Sequence, residues 1–271
     1  MTSNSPTSNQ QKLRQWITLI AIFAAFGVNV LSNLVPLNGL TIGEISNSLF
    51  ADLKITPANY AFAIWGLIYL GLFGLGIYQF LPSQRDNPRL EDMGYFLVMA
   101  CVAQIIWVGV FLSRLFLPSL IAMVGILLAL IAGYLAINLD RGRVPKAERW
   151  FVKAPMSIYL GWISVATIVN VAIVLESIQW NGWGISDELW TAILLIVAGI
   201  VAVLMRLNYL ETAFPLVFIW AILAIAIRQF NEPLIVLTAL AVCLAISIVG
   251  IVSTVSSHSQ TPESVSAENS N

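Results

Sequence analysis

The chain has 271 residues, 59% of them hydrophobic and only 10% charged, against roughly 25% charged in an average soluble domain; its mean hydropathy is +0.86. This composition excludes an ordinary soluble fold, and a net charge of −1 offers no basic field for nucleic acid. Membrane strands would need alternating segments of about ten residues, which the sequence lacks, so the expected fold is all-α, a polytopic transmembrane helical bundle.

Residues 1–14 open with MTSNSPTSNQQ, a polar stretch with almost nothing to bury, and read as a disordered N-terminal tail. Lys12 and Arg14 then precede an apolar run from Trp16 to Pro36. That run is long and has no A-x-A cleavage pattern, so it reads as an uncleaved first span rather than a signal peptide. In all, about eight spans are expected: 15–36, 60–81, 93–115, 118–139, 152–176, 188–206, 210–229 and 233–254. Windows such as LIAMVGILLALIAGYLAINL (120–139) reach the roughly 20 residues a helix needs to cross about 30 Å of hydrocarbon.

The longest connection, LNGLTIGEISNSLFADLKITPAN (37–59), mixes apolar residues with Gly and Pro. It reads either as a short amphipathic cap on the bundle or as a lid over a binding site. Cys101 and Cys243 both fall inside spans, as small packing residues with no disulfide framework. Gly125, Ala129 and Gly133, four residues apart, read as a close helix contact. Residues 255–271 are again polar and are expected to form a disordered tail.

Basic residues gather in alternate connections. With the N-terminus in the cytoplasm, ten of the thirteen Lys and Arg residues lie inside, five of them in DRGRVPKAERWFVK (140–153); only Lys54, Arg114 and Arg228 lie outside. An even number of spans returns the C-terminus to the cytoplasm. The expected location is therefore a bacterial cell membrane, with both termini cytoplasmic and the lipid bilayer as the first partner.

No Asp, Glu, Lys, Arg or His lies near the middle of a span, although ion-coupled transport normally keeps such groups along its pathway. Glu176, Arg206, Glu211 and Arg228 sit at span ends and read as solvated or interfacial charges. The only histidine, His258, is in the C-terminal tail and cannot ligate a metal within the bundle. Walker, H-E-x-x-H and G-x-S-x-G motifs are absent. The expectation is a non-enzyme with no catalytic residue, no metal and no cofactor.

The polar residues that do occur inside spans form stripes. In YLGWISVATIVN (159–170), Trp162, Ala166 and Asn170 follow at i, i+4 and i+8, which is one helix face. An amide is costly to expose to lipid, so this face should look into the bundle, where Ala166 leaves a slot for a neighbouring helix or a flat ligand. AFAIWGLIYLG (61–71) places Trp65 and Tyr69 one turn apart, and QIIWVGVF (104–111) places Gln104, Trp107 and Phe111 at i, i+3 and i+7. Trp16, Trp150, Trp180, Trp183 and Trp190 lie near span ends, as an aromatic belt would. Trp65, Trp107, Trp162 and Trp220 do not; they either fill the core or build a site.

YLGWISVATIVN resembles the Y-L-x-W-x-x-x-A-T-x-x-N signature in the fifth helix of the translocator protein family, also called tryptophan-rich sensory proteins or peripheral-type benzodiazepine receptors (TspO/MBR). IWGLIY (64–69) resembles that family's second-helix W-x-x-L-Y pattern, and QIIWVGVF its third-helix N-x-x-W-x-x-x-F pattern. Gln104 stands where the family usually has Asn, Asn59 where it commonly has Trp, and Ala63 where it commonly has Pro. The fifth helix ends in VNVAIVLES, so a sterol site is not implied.

The resemblance implies a five-helix domain over 15–176, with 177–254 adding three helices. It also implies a binding, sensory or transport protein for a flat hydrophobic ligand such as a porphyrin or other tetrapyrrole. The alternatives are a transporter of another metabolite and an enzyme acting on a bound tetrapyrrole; a homodimer is compatible with either. By resemblance, the site lies between helices one, two, three and five beneath the 37–59 connection. Trp65, Tyr69, Trp107, Phe111 and Trp162 would be its stacking walls, Gln104 and Asn170 its polar handles, and Ala166 the small residue that leaves room.

Overall fold

The structure, a computed structural model, describes residues 8–138 and 144–259. Its long apolar runs form eight helices: α1 (Ser8–Leu34), α2 (Ile64–Tyr78), α3 (Pro88–Leu112), α4 (Phe116–Asn138), α5 (Ala154–Ser177), α6 (Asp187–Tyr209), α7 (Ala213–Arg228) and α8 (Pro233–Ser259). No strand occurs among the described residues. Each proline inside a long helix, namely Pro88, Pro118, Pro155, Pro215 and Pro233, falls within its first three residues, where the missing N–H has no intrahelical partner to lose. Caps mark two of the starts: Asn87 accepts from Arg89 N and Ser186 from Leu189 N, with Asp187 and Glu188 in the first turn.

Packing runs α2–α1–α3–α4–α5, with α2 closing onto α5; α6, α7 and α8 pack on one another and reach the rest mainly through α5 and α7. Gly161 is why α7 can lie so close. A Cβ there would stand 3.1 Å from Val217 Cβ and 3.3 Å from Phe214 O. Gly133 does the same on α4, against Met156 and Phe96. The outward faces are left apolar and uncovered, as with Leu237, Leu244 and Ile251 of α8, which suits a lipid surround.

For seven of the eight helices the helical run is long and apolar enough to cross a membrane, counting for α2 the 3₁₀ turn that leads into it (Asn59–Tyr78). The exception, α7, has 16 residues, about 24 Å of helix and shorter than the 210–229 span expected. It still runs back along the bundle. Gly199 abuts Val242 and Arg206 bonds to Gly250, Ser253 and Thr254, so α6 and α8 run parallel and α7 must carry the chain back between them. The start of α1 and the end of α8 therefore share one end of the bundle with the 144–153 connection.

Three expectations need correction. Residues 8–14, assigned to the N-terminal tail, form the first turns of α1, and residues 255–259 extend α8. The remaining tail residues, 1–7 and 260–271, lie outside the described residues. Arg206 and Glu211 are not solvated charges; each is 6% exposed. The Arg206 guanidinium donates to Ser253 Oγ, Leu210 O, Thr212 Oγ1, Gly250 O and Thr254 Oγ1. All its donors thus end on neutral oxygens, and α6 is locked to α8. Glu211 Oε1 accepts from Thr212 N and Ala213 N at the start of α7. Its Oε2 lies 3.5 Å from Lys153 Nζ and accepts from Tyr134 OH at 3.3 Å. This polar work by Arg206 and Glu211, with Leu210 in the left-handed region (φ 49°), ends α6 and delays α7 to residue 213.

Candidate functional site

Beneath the 37–63 segment, at the end of the bundle away from the 144–153 connection, a slot opens between α2, α3 and α5. Its walls are Trp65, Trp107 and Phe111 on one side and Trp162, Val165, Ala166, Val169, Asn170 and Ile173 of α5 on the other; Ile42, Ser46, Pro57 and Phe62 roof it. The cavity is small, about 40 Å³, well under the roughly 300–1,000 Å³ of clefts that take a drug-sized ligand, so a planar ring enters only as the walls and roof part. No charged side chain lines it.

The stripe in YLGWISVATIVN explains the α5 wall. Residues 162, 166, 169, 170 and 173 fall on one helical face, and Ala166, the smallest, is only half-buried because the slot lies over it. On α3, the Trp107 and Phe111 rings stack with centroids 5.1 Å apart. Phe62 meets Trp162 edge-on at 5.9 Å, which joins roof to wall. The Trp107 indole donates to Asn170 Oδ1 at 2.9 Å, and Asn170 Nδ2 donates to Ser119 Oγ at 3.1 Å. The amide thus ties α5 to α3 and α4 and fixes the Trp107 ring as a wall, rather than reaching into the slot.

Six of the eight expected residues, Trp65, Trp107, Phe111, Trp162, Ala166 and Asn170, come together on this lining. Tyr69 and Gln104 do not. They lie behind Trp65, which stacks on Tyr69 with centroids 5.8 Å apart. Gln104 Nε2 donates to Tyr69 OH at 2.5 Å, Tyr69 OH donates to Ala25 O at 3.0 Å, and Tyr159 OH donates to Gln104 Oε1. This buried chain pins α1, α2, α3 and α5 together under the slot. Trp220, left open by the sequence, donates its indole N–H to Ala61 O at 3.2 Å and so holds the roof.

Sequence reasoning missed the roof residues and the valines. Val165, Val169 and Ile173 sit beside the polar stripe and were legible from helical spacing. Ser46 carried no pattern at all.

The roof itself is built locally. Thr41 Oγ1 accepts from Glu44 N while the Glu44 carboxylate takes back the Thr41 N–H, a capping box, which starts the short helical turns through Leu49. These backbone and hydroxyl bonds also hold the exposed Glu44 carboxyl below its usual range. Pro57 then breaks the chain before the 3₁₀ turn Asn59–Ala63 that enters α2.

An all-helical, multi-pass integral membrane bundle with an aromatic-walled slot under an extended connection is the class these features define. The chain belongs to the TSPO-like family: the family model described as TSPO-like protein matches residues 15–252, a region that takes in all eight helices almost entirely. No curated protein and no solved structure matches it.

Proposed function

We propose that the protein is a membrane-embedded binding or sensory protein that holds a flat, largely apolar molecule, with porphyrins and related tetrapyrroles as the ligand class. The slot carries this reading: aromatic faces and a small Ala166 on opposing walls leave a flat, apolar space under a roof. Its lining has no carboxylate, imidazole, thiol or amine to move a proton on a bound ring, which favours holding the ligand over converting it. Basic residues on the 144–153 connection favour that end as the cytoplasmic one.

The test is quenching of tryptophan fluorescence by a porphyrin in the purified, detergent-solubilised protein. Trp162→Phe removes indole area worth about 0.5–1.5 kcal/mol, so affinity should fall roughly two- to tenfold. Ala166→Phe puts a ring into the slot and should abolish saturable quenching. An Ala166→Phe protein that stays folded and binds as tightly as the parent would show the slot to be packing and refute the reading.

A further inference from the structure

We propose that Ser46 is the recognition group of the slot, and that the ligand it selects carries an uncharged hydrogen-bond acceptor, of carbonyl or ester type, on the edge that meets the roof. This inference rests on the slot reading above and narrows its ligand class.

Ser46 is 2% exposed, lines the slot, and its hydroxyl has no hydrogen-bond partner. No other slot-lining polar side-chain atom is both buried and unpartnered among the described residues. Serines in helical turns usually bond back to a carbonyl four residues earlier. The neighbours of Ser46 on the same turn do so: Asn47 donates to Gly43 O at 2.8 Å and Ser48 to Glu44 O at 2.6 Å. Ser46 makes no such bond, although it lines the slot.

A buried hydroxyl without a partner costs free energy, and a ligand that supplies the partner recovers it. Charge decides which ligand that is. The lining has no cation, so an ionised carboxylate brought to Ser46 would leave water for a single hydroxyl, a poor exchange. A neutral acceptor gives up far less hydration for the same bond. Carboxylates on a tetrapyrrole would then have to stay outside the slot or be masked as esters.

Three porphyrins of one ring size separate the possibilities in the full-length protein: etioporphyrin with alkyl groups only, mesoporphyrin dimethyl ester, and free mesoporphyrin diacid. Binding is read as the tryptophan quenching that Ala166→Phe removes, which discounts partition into detergent. The parent should prefer the diester over the alkyl porphyrin by about three- to tenfold, the value of one neutral hydrogen bond, and should bind the diacid more weakly than the diester. Ser46→Ala should abolish the diester preference while leaving etioporphyrin affinity unchanged, and Ser46→Thr should retain it. Thermal stability of the ligand-free protein should hold or rise in Ser46→Ala, because the hydroxyl has no partner to lose. Equal binding of the alkyl and diester forms, or a preference that survives Ser46→Ala, overturns the role of Ser46 and leaves the slot reading standing. A fall in ligand-free stability with Ser46→Ala overturns it too, since the hydroxyl would then be bonded within the protein. If the parent binds none of the three, the slot reading fails and this inference falls with it.

Discussion

Replacing Asn170 with leucine separates a structural amide from a ligand handle. The change removes the acceptor 2.9 Å from the Trp107 indole N–H and the donor 3.1 Å from Ser119 Oγ. Ser119 keeps its bond to Phe116 O at 2.6 Å, so the indole is the group left unpaired. An unsatisfied buried donor costs about 1–3 kcal/mol, and an interhelical hydrogen bond lost within a membrane about 0.6 kcal/mol. Leucine returns part of this through its methyl groups, for a net destabilisation of about 1–2 kcal/mol. Trp107→Phe deletes the same N–H from the other side, so the two costs should not add. In a double-mutant cycle followed by denaturing-detergent titration, the coupling should be about 1 kcal/mol. Porphyrin affinity of Asn170→Leu, measured well below its unfolding midpoint, should stay within about twofold of the parent. Additive costs would refute the Trp107–Asn170 bond, and lost affinity at unchanged stability would show that the amide touches the ligand after all.

Two further expectations concern the roof and the orientation. Trp220→Phe combined with Glu232→Gln cuts the roof's ties to Ala61 O and Lys54 Nζ and should speed hydrogen exchange in residues 50–61; unchanged exchange would mean these contacts do not hold the roof. The Lys54 pKa is raised, chiefly by its hydrogen bond to Glu232, so its contribution is complete below the ordinary lysine value and is lost only as pH rises through the raised one. Glu44, with its pKa lowered, contributes above the ordinary carboxylate value and is lost as pH falls through the lowered one; between about pH 6 and 9 neither group should alter roof exchange. Single cysteines at Asn47 and Asn181, in a background lacking Cys101 and Cys243, should label from outside, and cysteines at Gly142 and Ser256 should not. Outside labelling at 142 would reverse the orientation.

Helix number and face were legible because lipid enforces both: apolar length sets a span, and a polar stripe such as Trp162, Ala166 and Asn170 must turn inward. Depth was less legible. Tyr69 lies one turn from Trp65, about 6 Å along the axis, and Gln104 about 4.5 Å from Trp107. Each shares a stripe with a slot residue yet falls beneath the floor, since periodicity fixes direction around a helix and says nothing of where the neighbouring helix leaves a gap. Arg206 and Glu211 failed for another reason. Their partners, Ser253 and Thr254 for one and Tyr134 and Lys153 for the other, lie more than 40 residues away, so span ends that look solvated in the sequence are buried once α8 and α4 arrive.

The same long-range logic assigns the last three helices a place in the site. The roof is tied to α7 and the turn after it through Ala58 N to Ala224 O, Trp220 Nε1 to Ala61 O, Arg228 Nη2 to Ala51 O, Gln229 Nε2 to Lys54 O, and the Lys54–Glu232 pair at 2.6 Å. On the other side, Asn38 donates to Leu112 O at 3.2 Å and Phe50 packs edge-on against Phe116 at 5.0 Å. Ser46 and Pro57 therefore reach the slot from a segment anchored to both groups of helices. Without α6–α8, the walls on α2, α3 and α5 keep their own contacts, including the Trp107–Asn170 bond and the Tyr159–Gln104–Tyr69 chain. What the roof loses is a set of polar partners at that end of the bundle, where water can replace them at small cost, together with the apolar cover over Ile55 and the edge contact of Tyr60 with Trp220. The order of the roof should thus fail before the fold does. A chain ending near Asn181 would keep an aromatic slot with a loosened cover, able to hold a flat ring but poorly able to select the group on its edge.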